Sequence, residues 1–303
     1  VYTVNTAKER KASLRNKLYG QTENVDNLWR ESLNELPNSP HKAVMLGISS
    51  DCGGGILRGA NWGPLFVRSA LIDQQPQCHS FDLGDVRVIP HLLHDKYLND
   101  ATISNCQKAL YGDEDNDYYV SPLSITEDVC DSFYATFKDK GLFGIGGDHS
   151  ISYPLTKAYL KAKREQGKRT AIIHFDAHTD LLVERLGIDL CFGSWCTHIL
   201  EFLPAPHHLI QFGIRSSGKP KAHWENTFGV KQHWAHEIIE RGAAAVAADA
   251  IAQLKADNVD EIYVSFDIDA LDAEFASATG TPEHHGLTPQ HALDILSAIA
   301  DEF

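Results

Sequence analysis

The chain of 303 residues is poor in basic side chains: 27 Lys and Arg stand against 41 Asp and Glu, a formal charge of -14. Such a surface repels polyanions, which excludes nucleic acid and anionic membranes as partners. The six cysteines, at positions 52, 78, 106, 130, 191 and 196, follow no framework spacing. In a chain of this length they read as reduced thiols, and the expected compartment is the cytoplasm. No apolar run has membrane length, and none has the form of a secretory signal. Internal repeats, low-complexity blocks and linkers are lacking too. A glycine-rich loop at 52–59 matches neither the dinucleotide fingerprint nor the P-loop spacing, so nucleotide binding is rejected. The first residue is Val1 rather than Met, so N-terminal processing or trimming is expected.

What the chain has is a succession of short apolar runs that read as strands, at 43–48, 79–84, 142–146, 172–175, 208–213 and 262–266. Between them lie residues at helical spacing. Examples are Leu65 with Arg68 and Leu71, Val129 with Phe133 and Phe137, and Leu155 with Ala158, Tyr159 and Ala162. An alanine-rich helix is expected over 238–254. A last helix starts at the N-cap Thr288 with Pro289 in its first turn, and it aligns Ala292, Ile295, Leu296 and Ile299 on one face. Alternating strand and helix predicts an α/β fold of right-handed βαβ units with a mainly parallel sheet. Residues 1–41 are polar and read as an N-terminal arm with some helix, and residues 42–303 as one main domain.

Three of the strands end in metal-ligand side chains. One runs into Asp176-Ala177-His178-Thr179-Asp180, another into Gly146-Gly147-Asp148-His149-Ser150, and a third into Asp267-Ile268-Asp269. In an extended strand, residues i, i+2 and i+4 point the same way, so Asp176, His178 and Asp180 are expected to project together. The C-terminal edge of a parallel sheet is where ligands bind. An oxygen-rich set with an imidazole suits hard or borderline divalent ions. His174 shares the ligands' parity but lies deeper, and it reads as a hydrogen-bonded core histidine. The acidic run 112–117 reads as a solvated loop.

Together these motifs, with Thr279-Gly280-Thr281-Pro282 and the earlier Gly63-Pro64 and Arg68, resemble the arginase/agmatinase (ureohydrolase) family over roughly residues 43–303. The resemblance implies a three-layer α/β/α fold with an eight-stranded, mainly parallel sheet, and makes 42–303 the catalytic domain. It implies hydrolysis of a small cationic guanidino compound to urea and an amine. It also implies two divalent metal ions, manganese foremost, with nickel or cobalt compatible with the same ligands. Carried over by position, one ion takes His149, Asp176, Asp180 and Asp267. The other takes Asp176, His178, Asp267 and Asp269. Asp180 is the candidate catalytic proton carrier and Thr281 the candidate substrate contact, with His285 (beside His284) as a further one. Relatives assemble as trimers or hexamers, so a homo-oligomer is expected. The alternatives are a formiminoglutamase-type or other linear amidine or amide hydrolase, a deacetylase on the related fold, and a metal-binding member without turnover.

Two departures from the family pattern stand out. Phe192 occupies the place where many members carry a proton-shuttling histidine, and His198 nearby is expected in the next helix. Relatives also continue past the last helix with another strand, so the native chain is expected to run on beyond Phe303.

Overall fold

Six of the seven strands arise from the β-branched and apolar runs seen in the sequence. The structure is a computed structural model that describes residues 5–52, 57–74 and 80–303, with side chains from Lys8 onward. Most of the glycine-rich loop, together with Cys78 and His79, lies outside the described residues. The chain divides into two units, one of residues up to 52 with 59–151, the other of 53–58 with 152–303.

In the first unit, helices α1 (Asn5–Tyr19) and α2 (Val25–Leu33) precede strand β1 (Ala43–Ile48). Helix α3 (Gly63–Gln74) leads to β2 (Ser80–Val86), and α4 (Asp100–Tyr111) and α5 (Pro122–Thr136) lead to β3 (Gly141–Gly146). The three strands form a parallel sheet in the order β2-β1-β3. The N-terminal helices are packed onto this unit. Trp29 donates its indole N–H to the Leu83 carbonyl at 3.0 Å, and the Arg10 guanidinium lies 4.8 Å from the centre of the Phe66 ring. Arg68 is buried and pairs with Asp82 and Asp85, each at 2.7 Å. A buried guanidinium is tolerable only with such partners, so this residue fastens α3 to the turn-side end of β2.

In the second unit, α6 (Ser152–Glu165), β4 (Thr170–Phe175), α7 (Trp195–Ile199) and β5 (Leu209–Ile214) come first. They are followed by α8 (Lys221–Phe228), β6 (Lys231–Trp234), α9 (Ala235–Arg241), α10 (Ala243–Ala256), β7 (Glu261–Phe266) and α11 (Pro289–Ala300). The strands are all parallel, in the order β6-β5-β4-β7. Strand alternation sorts β4 into two faces. Ala171, Ile173 and Phe175 enter an apolar core with Ile210, Phe212, Ile238, Val246, Ala250, Leu254, Ile295 and Ile299, drawn from β5 and α9–α11. Ile172 and His174 face the other way, where Trp195 of α7 meets the His174 ring edge-on at 5.1 Å. On that same face Ser152 of α6 and Ser265 of β7 share a hydrogen bond of 3.0 Å. This unit is thus three layers, helix, sheet, helix.

Several expectations change. The described residues carry seven strands in two parallel sheets, not one sheet of eight. Among the described residues β3 pairs only with β1, and β7 only with β4. Strand β6 has the sequence Lys-Gln-His-Trp and gives no hydrophobic signal; its Gln232 is buried because it bonds Gln211 on β5 at 2.7 Å. The expected single helix over 238–254 is broken at Gly242, whose φ of 86° and ψ of 145° no helix accommodates. Thr288 does cap α11, accepting from the His291 N–H while His291 Nδ1 accepts in return. No helix among the described residues is long and apolar enough to cross a membrane.

Candidate metal centre

Strands β4 and β7 run side by side with Phe175 opposite Phe266, so their next residues leave the sheet at one level. The Asp267 N–H donates to the Phe175 carbonyl at 2.9 Å, and the Asp176 N–H to that of Phe212 at 3.1 Å. The strand itself stops at Phe175. The grouping of Asp176, His178 and Asp180 therefore does not come from strand parity, as the sequence suggested. It comes from a turn in which Asp176 Oδ1 accepts the His178 N–H at 2.6 Å and Asp180 adopts a left-handed φ of 51°.

Two donor sets result, both containing Asp176. In one, Asp176, His178 and Asp269 offer ligand atoms within 4.8 Å of one another; in the other, Asp176 and Asp180 do so with His174. His178 Nδ1 lies 3.3 Å from both Asp176 Oδ1 and Asp269 Oδ2. Asp269 Oδ1 accepts the Ala177 N–H at 3.1 Å, which locks the β7 exit against the β4 exit. Asp267 belongs to neither set; it caps the turn after β7 by accepting the Asp269 N–H at 3.0 Å. His174 is wholly buried, with Nε2 3.0 Å from Asp176 Oδ2 and Nδ1 2.8 Å from the Gln211 amide nitrogen. It is the hydrogen-bonded core histidine the sequence predicted, and it orients Asp176.

Charge balance decides what this cluster can hold. Asp176, Asp180 and Asp269 are all buried. Burial, then repulsion from Asp176 and Asp267, raises the Asp269 pKa. Burial opposes a charge on His178, but hydrogen bonds to Asp176 and Asp269 outweigh it and push its pKa up to about 11. The cluster holds a proton because it carries more negative charge than it can neutralise. Divalent cations would discharge the same excess, and the oxygen-rich donor set suits them. The residues present fit a metal centre.

Around the cluster, the Trp195 indole donates to Asp180 Oδ2 at 2.8 Å, and the ring is fully buried. Phe192 lies under the Arg185 guanidinium, 5.1 Å from its ring centre. His198 sits in α7 as expected, and its Nε2 bonds the Asp189 carbonyl at 2.8 Å. Thr281 donates its hydroxyl to Asp269 Oδ2 at 2.9 Å. His285 is exposed, with a left-handed φ of 62°. Two side chains escaped notice in the sequence. Glu283 places Oε1 3.6 Å from His178 Nε2 and accepts from the Ser216 hydroxyl at 2.8 Å. Arg215 donates to six carbonyls, of Gly213, Asp269, Ala270, Leu271, Glu283 and His284, at 2.7–3.2 Å. It is the tie that fixes the loop carrying Thr281, Glu283 and His285. Its only signal was a lone arginine directly after a strand.

His149 belongs to the first unit, in the tight turn His149–Ile151 after β3. Asp148 shapes that turn by accepting from the Ser50 hydroxyl at 3.1 Å, the Cys52 N–H at 2.9 Å and the Ser150 N–H at 3.1 Å. Gly147 has no room for a side chain, since a Cβ there would lie 2.2 Å from the Ser50 carbonyl.

The Arginase family profile matches residues 41–302. The chain belongs to the arginase family. An agmatinase of Bacillus subtilis is 32% identical over 177 residues, covering 57% of this chain and 56% of that protein. An agmatinase of Salmonella paratyphi B is 37% identical over 163 residues, covering 54% and 48%. The matches thus span about half the length of these curated relatives. Among solved structures, the proclavaminate amidino hydrolase of Streptomyces clavuligerus superposes with a TM-score of 0.64 at 25% identity, over 87% of this chain and 80% of that one. The fold is accordingly the arginase-like α/β fold. The arginase-family motifs of the second unit are those that build the Asp176 and Asp269 cluster.

Proposed function

We propose that this arginase-family protein is a binuclear metal hydrolase that cleaves a small guanidino compound to urea and an amine. The observation that carries the reading is the shared, buried Asp176 standing between two donor sets whose carboxylate charge calls for cations. The proposed ligands are Asp176, His178, Asp180 and Asp269, with Asp267 and His149 added on their motif match. Manganese is the proposed metal, because carboxylates dominate the set. The likeness to agmatinases and to an amidino hydrolase supports a cationic substrate of this class.

Bound divalent ions would supply the Lewis acidity that makes water nucleophilic near neutral pH. The side chains supply the rest. Water adds to the guanidinium carbon, the C–N bond to the substituted nitrogen breaks, and the products are urea and an ammonium. Asp180, oriented by Trp195 through one carboxylate oxygen, delivers the proton to the departing amine. The Thr281 hydroxyl hydrogen is engaged by Asp269, which leaves the oxygen lone pairs to accept from the guanidinium. Glu283 adds a negative charge beside His178, and His285 is the proposed outer contact.

The test is urea release from manganese-loaded protein offered agmatine, arginine, guanidinobutyrate, guanidinopropionate and guanidine, with Asp176→Ala as the blank. Turnover of one compound that disappears in the blank is the expected result. Two equivalents of metal bound with no urea from any compound would overturn the reading.

A further inference from the structure

The second unit carries another imidazole and carboxylate cluster, at the opposite edge of its sheet. His207 and His208 immediately precede β5, and Asp257 is the C-cap of α10. Their ligand atoms lie within 4.8 Å of one another. Thr170, where β4 begins, stands beside them, while Asp176 follows the other end of that strand. Six residue steps separate Thr170 from Asp176, about 20 Å of extended chain.

Three features make this more than a surface ion pair. The first is the state of His208. Its side chain is fully buried, and Nδ1 lies 2.9 Å from the Thr170 carbonyl. A carbonyl only accepts, so Nδ1 is the protonated nitrogen and Nε2 bears a lone pair. That Nε2 is buried and has no hydrogen-bond partner among the described residues. An acceptor, Asp257 Oδ2, lies 3.9 Å from it. A buried lone pair facing a carboxylate is unfavourable unless something positive lies between them.

The second feature is spacing. His207 Nε2 lies 3.2 Å from the same Asp257 Oδ2. A tetrahedral zinc ion, bonded at about 2.0–2.1 Å, holds its donors roughly 3.3 Å apart. One edge of that tetrahedron is already present. The His208–Asp257 edge stands at 3.9 Å and the two histidine donors lie within 4.8 Å, and Asp257 and His207 are both partly exposed and free of the core packing that holds His208. The third feature is support behind the ligands. The Thr170 carbonyl fixes the His208 ring, as such partners do for metal-bound histidines. The Gln253 amide donates to the His207 carbonyl at 2.8 Å, and Arg169 Nε donates to the Asp257 carbonyl at 2.9 Å.

We infer that His207, His208 and Asp257 form a second, separate metal site, selective for a nitrogen-preferring ion of the zinc class. Two imidazoles and one carboxylate leave the remaining position to water. This donor set differs from the carboxylate-rich centre near Asp176, so the two sites should sort metals, zinc here and manganese there. Bound zinc would clamp the start of β4 and β5 to the end of α10, a structural role remote from the proposed chemistry.

The experiment titrates zinc into Asp176→Ala protein, which lacks the shared ligand of the other centre. His207→Ala and Asp257→Asn are each added to that background. Cobalt(II) replaces zinc for an optical reading, because a tetrahedral cobalt site has intense visible absorption. One equivalent of zinc bound in the parent, weakened at least 100-fold in both added variants with unchanged circular dichroism, is expected. Cobalt absorption should vanish in the same two variants. Equal zinc binding in parent and variants, or none in the parent, would overturn the inference. Neither result depends on whether urea is released by the unaltered protein.

Discussion

Replacing Trp195 by Phe isolates one hydrogen bond at the proposed catalytic carboxylate. The indole N–H donates to Asp180 Oδ2 at 2.8 Å with the donor ring fully buried and Asp180 only 6% exposed. A buried bond to a charged acceptor contributes about 1.5–3 kcal/mol. Asp180 also holds a left-handed φ of 51°, a conformation that costs a residue other than glycine roughly 1–2 kcal/mol. The bond is therefore comparable to the strain it offsets. Phe keeps most of the ring volume and removes the donor. If the loss falls on the transition state, kcat/KM for urea release drops about 10- to 150-fold at saturating manganese, since 1.36 kcal/mol is one decade. The assay is urea release on the compound that the wild type hydrolyses, with thermal unfolding measured alongside. If the indole merely fills space, the variant loses stability but keeps its rate. A lowered melting temperature with kcat/KM within about twofold of wild type would therefore refute the positioning role.

Metal loading should expel a proton, because the pKa of His178 stands at about 11 in the metal-free cluster. Calorimetry at pH 7.5 in two buffers of different ionisation enthalpy should show proton release on manganese binding, and no buffer dependence would contradict it. The sign extends to stability. With the folded pKa above the unfolded value of 6.5, the His178 contribution is complete below about pH 6.5 and is lost as pH rises toward about 11. Metal-free protein should accordingly have a lower denaturation midpoint at pH 9 than at pH 6.5. Gly147→Ala forces a Cβ to within 2.2 Å of the Ser50 carbonyl and should destabilise the first unit by about 1–3 kcal/mol in urea titrations. Arg215→Lys retains the charge but loses the planar fork that reaches six carbonyls. Its loop should loosen, seen as faster amide exchange over 281–286 and a raised KM.

The sequence by itself determined the strands whose side chains are buried on both faces, because a parallel strand between helices is a near-continuous apolar run. β1, β4 and β5 were legible for that reason, and so were the ligand-type residues at the end of β4. Gly242 could be seen as a glycine, but not as a break between two helices. The polar strand β6 was illegible, since the burial of Gln232 depends on Gln211 of the neighbouring strand and on the Trp234 indole, which answer its amide. The same limit applies at the metal centre. Asp176, His178, Asp180 and Asp269 could be named from their spacing, but the indole on Asp180 and the Glu283 carboxylate near His178 are contacts between separate segments of the chain. Short-range pattern records which residues a strand can end in. Only tertiary structure decides which lone pairs meet, because hydrogen bonds and charges act over a few ångströms of space, whatever the distance along the chain.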